Sequence, residues 1–157
     1  MSYALQPLLR IRTMREDRAS GELTAARRAL AVAEESLAAR RRDLAVYEET
    51  KEERRDRIYD AIIGRKVSRD QIDLANEGVA RIDEEGVLKA DNVKRAEGEV
   101  REKTAAADAA RANLNLAIKN RMKIDEHKAV WLAEEAKEQE ARAEGELEDF
   151  TVRKEEI

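Results

Sequence analysis

Ile63-Gly64-Arg65-Lys66-Val67-Ser68-Arg69-Asp70-Gln71-Ile72 is the stretch that decides the fold. Glycine after a helical run is the usual residue just past the end, because it takes up the left-handed conformation cheaply. Ser68 with Gln71 three places on reads as a capping box. The Ser68 oxygen accepts from the Gln71 N–H, and the Gln71 side chain reaches back. Val67 and Ile72 sit at the two positions of a hydrophobic staple. Stop signal, short link and start signal together predict a helical hairpin with its corner at 64–68.

Outward from the corner, both arms carry heptads. On the first, Leu23, Leu30, Leu37 and Leu44 recur every seventh position, with Ala26, Ala33, Arg40 and Tyr47 three residues after each. That is the seam of a coiled coil. It extends through Ala19 and Leu9 upstream and Ile58 and Ala61 downstream, and breaks at Glu16, Lys51 and Arg54. Pro7 suits a first helical turn, where its missing N–H is not needed, so helix one is expected over about 7–63, ~85 Å long at 1.5 Å per residue. On the second arm Val79, Val93, Val100, Ala107 and Leu114 hold one seam position, and Ala75, Ile82, Ala96, Ala110, Ala117, Ile124 and Trp131 the other. Gly86, Lys89 and Lys103 interrupt it. Gly78, Gly86 and Gly98 each cost about 1 kcal/mol against alanine in a helix interior, so 76–98 is expected to be the softest region. Helix two is expected over about 69–149, ~120 Å.

Folding at the corner pairs residues whose numbers sum to about 132. Leu37 then lies near Ala96, Leu23 near Ala109 and Ala110, and Met14 near Ile118. Large residues on one helix meet small ones on the other, which is how a close seam fills its volume. A parallel dimer of one long helix is the alternative that the corner signals disfavour. The expected fold is all-α: a single coiled-coil domain over 1–157, a long antiparallel two-helix coiled coil with a C-terminal helical overhang at 132–157. That overhang has ten acidic and four basic residues, a net −6, and no partner from helix one. It reads as a single, partly frayed helix or a segment that orders on binding.

Composition agrees. Charged residues make up 42% of the 157 and aromatics 3%, too few for a globular core. Alanine, glutamate, lysine, leucine and arginine with a heptad period mark long helices. The absence of cysteine excludes disulfides and thiolate metal sites, and the net charge of −4 gives no sign of a nucleic-acid partner. No apolar run reaches the roughly 18 to 20 residues that span a bilayer, and no signal peptide is visible. The chain reads as soluble, without direct membrane insertion.

No catalytic set is present. With one histidine, His127, and no cysteine, paired-histidine and cysteine–histidine sites are arithmetically impossible. The six glycines are scattered singly, so there is no phosphate loop. Carboxylate pairs on a solvated helix lack a pocket to shift their pKa. Neither an enzyme, nor a cofactor, nor a metal is expected. Arg40-Arg41-Arg42 is surrounded by Glu34, Glu35, Asp43, Glu48 and Glu49, a mixed-charge exposed face and not a nucleic-acid stripe.

The termini are more informative. Residues 1–9 carry no charged side chain. Tyr3, Leu5, Leu8 and Leu9 should lie beside Ile124, His127, Val130 and Trp131, with His127 and Trp131 four apart on one helical face. The bland reading is closure of the open end. The functional reading is an apolar, aromatic anchor for a partner.

Here the residues resemble a known family. Tyr3-Ala4-Leu5-Gln6-Pro7-Leu8-Leu9-Arg10-Ile11 looks like the Tyr-x-Leu-x-Pro-hydrophobic-Leu opening of the YscO group, the central-stalk proteins of type III secretion ATPases, distantly related to flagellar FliJ. His127-Lys128-Ala129-Val130-Trp131 with an acidic tail is similar to that group's C-terminal half. The resemblance implies an antiparallel coiled coil similar to the central shaft of rotary ATPases. It implies a cytoplasmic, non-enzymatic stalk, peripherally associated with the secretion apparatus and monomeric on its own. Such a stalk inserts into the hexameric secretion ATPase, promotes its activity and links it to the membrane export gate. Chaperones of secreted proteins or the needle-length regulator are further implied partners. Tyr47 and Tyr59 are candidates for contacts along the coil. A chaperone or adaptor for secreted substrates and a generic coiled-coil spacer are the alternatives.

Overall fold

The computed structural model describes residues 1–155. Two long helices, α1 (Gln6–Asp60) and α2 (Arg69–Glu155), pack antiparallel, and the described residues contain no strand. The corner follows from the local chemistry of its sequence. Gly64 has a φ of 77°, the only positive value among the described residues, where a side chain would clash with its own backbone. The capping box is reciprocal. The Gln71 N–H donates to Ser68 Oγ at 3.2 Å, and the Ser68 N–H donates to Gln71 Oε1 at 2.9 Å. Val67 is half-buried but Ile72 is exposed, so the cap rests on its hydrogen bonds and little on a staple.

Both helix ends differ from the expected bounds. α1 stops at Asp60, short of 63. The Tyr59 carbonyl accepts from both Ile62 and Ile63, at 3.0 and 2.9 Å, and Arg65 N–H donates to Ile62 O at 3.3 Å. A carbonyl shared between i+3 and i+4 donors turns the last residues into tight turns ahead of the glycine. α2 continues to Glu155, beyond 149. Arg142 lies 3.6 Å from Glu138 one turn back, and Arg153 and Lys154 stand in the last turn, where cations suit the helix dipole. The overhang expected at 132–157 is therefore helix through 155; its positions 156 and 157 lie outside the described residues.

The chain divides into two compact units, residues 24–109 and residues 1–23 with the chain from 110 onward. In the unit of 24–109, Leu37, Val93 and Ala96 form a buried cluster with Leu44 and Val100 packed against it. Leu37 on Ala96 meets the large-to-small expectation, and the same fit reaches beyond alanine to glycine. Tyr47 is buried, and its hydroxyl donates to the Ile82 carbonyl at 2.8 Å. Its ring lies on Gly86, where an added Cβ would collide with the hydroxyl oxygen and the ring edge. Gly78 receives Ile58 in the same way, with Cδ1 lying 3.2 Å from where a Cβ would stand. Two of the three glycines read as weak points of helix two, Gly78 and Gly86, are sockets for side chains of helix one, while Gly98 meets only Arg101 of its own helix.

The breaks in the leucine seam are ionic. Arg54 meets Glu85 at 2.7 Å, Lys89 approaches the same carboxylate at 3.8 Å, and Lys51 pairs with Glu48 at 2.7 Å. All are partly exposed. Such pairs add little stability, but a polar residue at a seam position specifies register. The hydrogen bond from Arg54 holds the Glu85 carboxyl below its ordinary range.

Two tests follow from this packing. Gly86→Ala forces the Tyr47 ring off its hydrogen bond and should destabilise by about 2 kcal/mol. Gly21 would have nothing within 4 Å of a Cβ added to it. Gly21→Ala should therefore give the opposite sign, stabilising by up to about 1 kcal/mol; urea titrations of both read the contrast. For the ion pair, a depressed carboxylate contributes stability above its unfolded pKa and loses it as pH falls through the folded value. An NMR titration should show Glu85 protonating below the ordinary carboxylate range and returning to it in Arg54→Met.

Candidate functional site

The unit of 1–23 and 110 onward holds the residues singled out at the termini. Before α1 begins, the chain makes one turn. The Gln6 N–H donates to the Tyr3 carbonyl at 3.1 Å and the Leu9 N–H to Leu5 O at 3.0 Å. Pro7, in the first turn of α1, gives up a donor that had no partner to lose. The turn carries Tyr3 across to α2. Tyr3, Leu9 and Ile124 are buried together, and Leu5, Leu8 and Trp131 pack against them.

Tyr3 is the centre of this cluster, 7% exposed. Its hydroxyl is 2.7 Å from His127 Nδ1. Its ring is tilted against both aromatic neighbours, with centroids 5.8 Å from His127 and 5.3 Å from Trp131. Tilted pairs at such separations are favourable for rings with quadrupoles. Lys128 Nζ donates to Gln6 Oε1 at 2.8 Å, closing the side of the cluster. His127 itself is exposed and Trp131 half-buried, so neither side chain is fully covered.

Farther along the same unit the seam becomes polar. Arg12 Nη1 donates to the Asn120 carbonyl at 2.6 Å. Glu16, one of the expected breaks, accepts from Arg121, which also reaches Asp125. Arg121 falls seven residues after Leu114 and continues the row of Val93, Val100 and Ala107. Its hydrogen bond to Glu16 raises its pKa further. The signal for this polar stretch in the sequence is a charged residue standing where the heptad calls for an apolar one.

Other expected positions fall elsewhere. Val130 is 59% exposed and does not join the cluster, being about a hundred degrees around the helix from Trp131. Met14, expected near Ile118, is 69% exposed, because Arg12 and Glu16 occupy the facing positions on either side of it. Tyr47 turns inward onto Gly86 and presents no ring to a partner. Tyr59 is half-buried, its hydroxyl 3.5 Å from Asn76 Oδ1. No three His, Cys, Asp or Glu side chains among the described residues are grouped to hold a metal ion.

Trp131 is the sole tryptophan and so reports on this cluster alone. Tyr3→Phe deletes a part-buried hydrogen bond and should lower stability by about 1 kcal/mol with little change in Trp131 emission. Tyr3→Ala also removes the ring, and should red-shift that emission and lower its melting midpoint further.

No curated protein matches this chain. A solved structure of a putative YscO homolog, CT670, from Chlamydia trachomatis matches with a TM-score of 0.73 over 98% of this chain and 93% of that one, at 22% identity. At that identity the likeness bears on the fold. The family model for type III secretion protein YscO matches residues 5–153. That span takes in α1, nearly all of α2 and the residues of α2 on which Tyr3 packs, and the chain belongs to the YscO family of type III secretion proteins.

Proposed function

We propose that this chain is the non-enzymatic stalk of a type III secretion apparatus, engaging the hexameric secretion ATPase, promoting its ring and its hydrolysis, and linking it to the membrane export gate. The observation that carries the reading is the end built from Tyr3, Leu9, Ile124, His127 and Trp131 in a chain of the YscO family. An apolar, aromatic cluster in which His127 is exposed and Trp131 half-buried is the kind of surface that anchors a partner. The remaining surface is a mixture of both signs of charge. A stalk inside a ring of similar subunits must offer each a different contact, and mixed charge permits weak attraction in several orientations. No helix among the described residues is long and apolar enough to cross a membrane. Under this reading attachment to the export gate runs through protein contacts, and the stalk works from the cytoplasmic side. Chaperones or the needle-length regulator are further partners.

The test uses the purified cognate ATPase. Deletion of residues 1–9 and Trp131→Ala should each abolish stimulation of ATP hydrolysis while circular dichroism stays helical. Full stimulation by both overturns the assignment of this end. A pull-down from native cells separates the stalk from a chaperone or adaptor, since a stalk brings down the ATPase with no secreted substrate present. Sedimentation as a 17.8 kDa monomer separates it from a dimerising spacer.

A further inference from the structure

Beyond Trp131, α2 runs on through residues 132–155. Cross-helix contact ends near here: the rings of Tyr3 and Trp131 meet, and the chain's amino group lies 3.8 Å from Glu135. Yet the segment is not uniformly polar. Leu132, Ala136, Ala143, Leu147 and Phe150 are spaced four, seven, four and three residues apart. At about a hundred degrees per residue they fall within about 60° of one another on the helix. Leu132 is 51% exposed, and Leu147 and Phe150 are each 65% exposed. The stripe does not prolong the seam onto α1. Ile124 and Trp131 lie about a third of a turn around the helix from it.

Glu135 and Glu146 border this stripe on one side, Glu140 and Glu144 on the other. Within 132–154 one internal ion pair, Arg142 to Glu138, is formed among the described residues, against eight acidic side chains. Lys154 Nζ stands 6.0 Å from the Phe150 ring centroid at the far end; over the preceding turns the apolar row is edged mainly by carboxylates and is complementary to a helix with the reverse edging. Charge also sorts the occupants. Anionic lipid and nucleic acid are repelled. A second copy of the same segment brings a like-charged border to a like-charged border, which is unfavourable.

We infer that the face of Leu132, Ala136, Ala143, Leu147 and Phe150 is a docking surface for a single amphipathic helix of another protein, apolar on one side and flanked by lysine or arginine. It is distinct from the Tyr3 cluster and independent of the stalk reading. The stripe supplies the contact area, and the acidic border supplies orientation and a faster encounter.

The test is fluorescence anisotropy on the full chain with a labelled synthetic helix of Leu stripe and Lys borders, alongside a peptide of identical composition scrambled to destroy the stripe. The amphipathic peptide should bind at least about tenfold more tightly than the scrambled one, and weaken as salt rises. Leu147→Ser with Phe150→Ser should cost about tenfold in that binding, with helicity by circular dichroism and Trp131 emission unchanged. Equal binding of both peptides reduces the surface to bulk charge and overturns the inference. Unchanged affinity in the double variant overturns it as well. Self-association in sedimentation that the double variant abolishes assigns the face to a second copy instead.

Discussion

A pair of helices has one buried face each and nothing behind it. That constraint governs this protein. No side chain among the described residues is completely buried, and no polar or charged residue is counted in the core. The hydrophobic effect holds the two helices together, but a single line of leucine and alanine would tolerate slippage by a heptad at modest cost. Uniqueness must come from positions that fit in one register only. Tyr47 fits onto a glycine and Ile58 onto another, and Glu16 with Arg121 and Arg54 with Glu85 meet across the seam. Burial here is shared among alanine, leucine, valine and isoleucine, and register lies in the exceptions to them.

This division explains what the sequence disclosed. Gly64, Ser68 and Gln71 act within a few residues of one another, so their roles are written locally and legible with their atoms named. The heptad period marks the buried faces, and the constant sum of paired positions places Leu37 by Ala96 and Leu9 by Ile124. Tyr47 and Gly86 are each visible, one as a candidate contact and one as an interruption. Their relation is not, since a glycine in a helix is silent about which ring sits on it. Met14 lies off the seam because heptad position outranks hydrophobicity, and Arg12 and Glu16 hold the seam there. The end of α1 at Asp60 depends on a bifurcated carbonyl, which leaves no mark in residue type.

At the aromatic end the sequence goes further. An uncharged start in a chain that is 42% charged requires a place to put its apolar groups, and the pairing rule supplies Ile124 and Trp131. The hydroxyl of Tyr3 on His127 and the Lys128–Gln6 bond are refinements of that meeting, set by side-chain geometry. Family membership rests on a different footing, the match over residues 5–153. The physics of the seam accounts for the hairpin and is indifferent to which machine the hairpin serves.

The corner at Gly64 has a kinetic meaning. Cross-helix contacts lie at sequence separations of 17 for Tyr59 with Asn76, 35 for Tyr47 with Ile82, 56 for Arg41 with Glu97 and 124 for Tyr3 with His127. Closing a loop costs more entropy the longer it is, and each contact made shortens the loop for the next. Loop-closure entropy therefore favours closure from the capped corner outward. The Tyr3–His127 contact, at the longest of these separations, carries the largest closure cost. The end with the most specific side chains is also the one whose closure costs the most entropy.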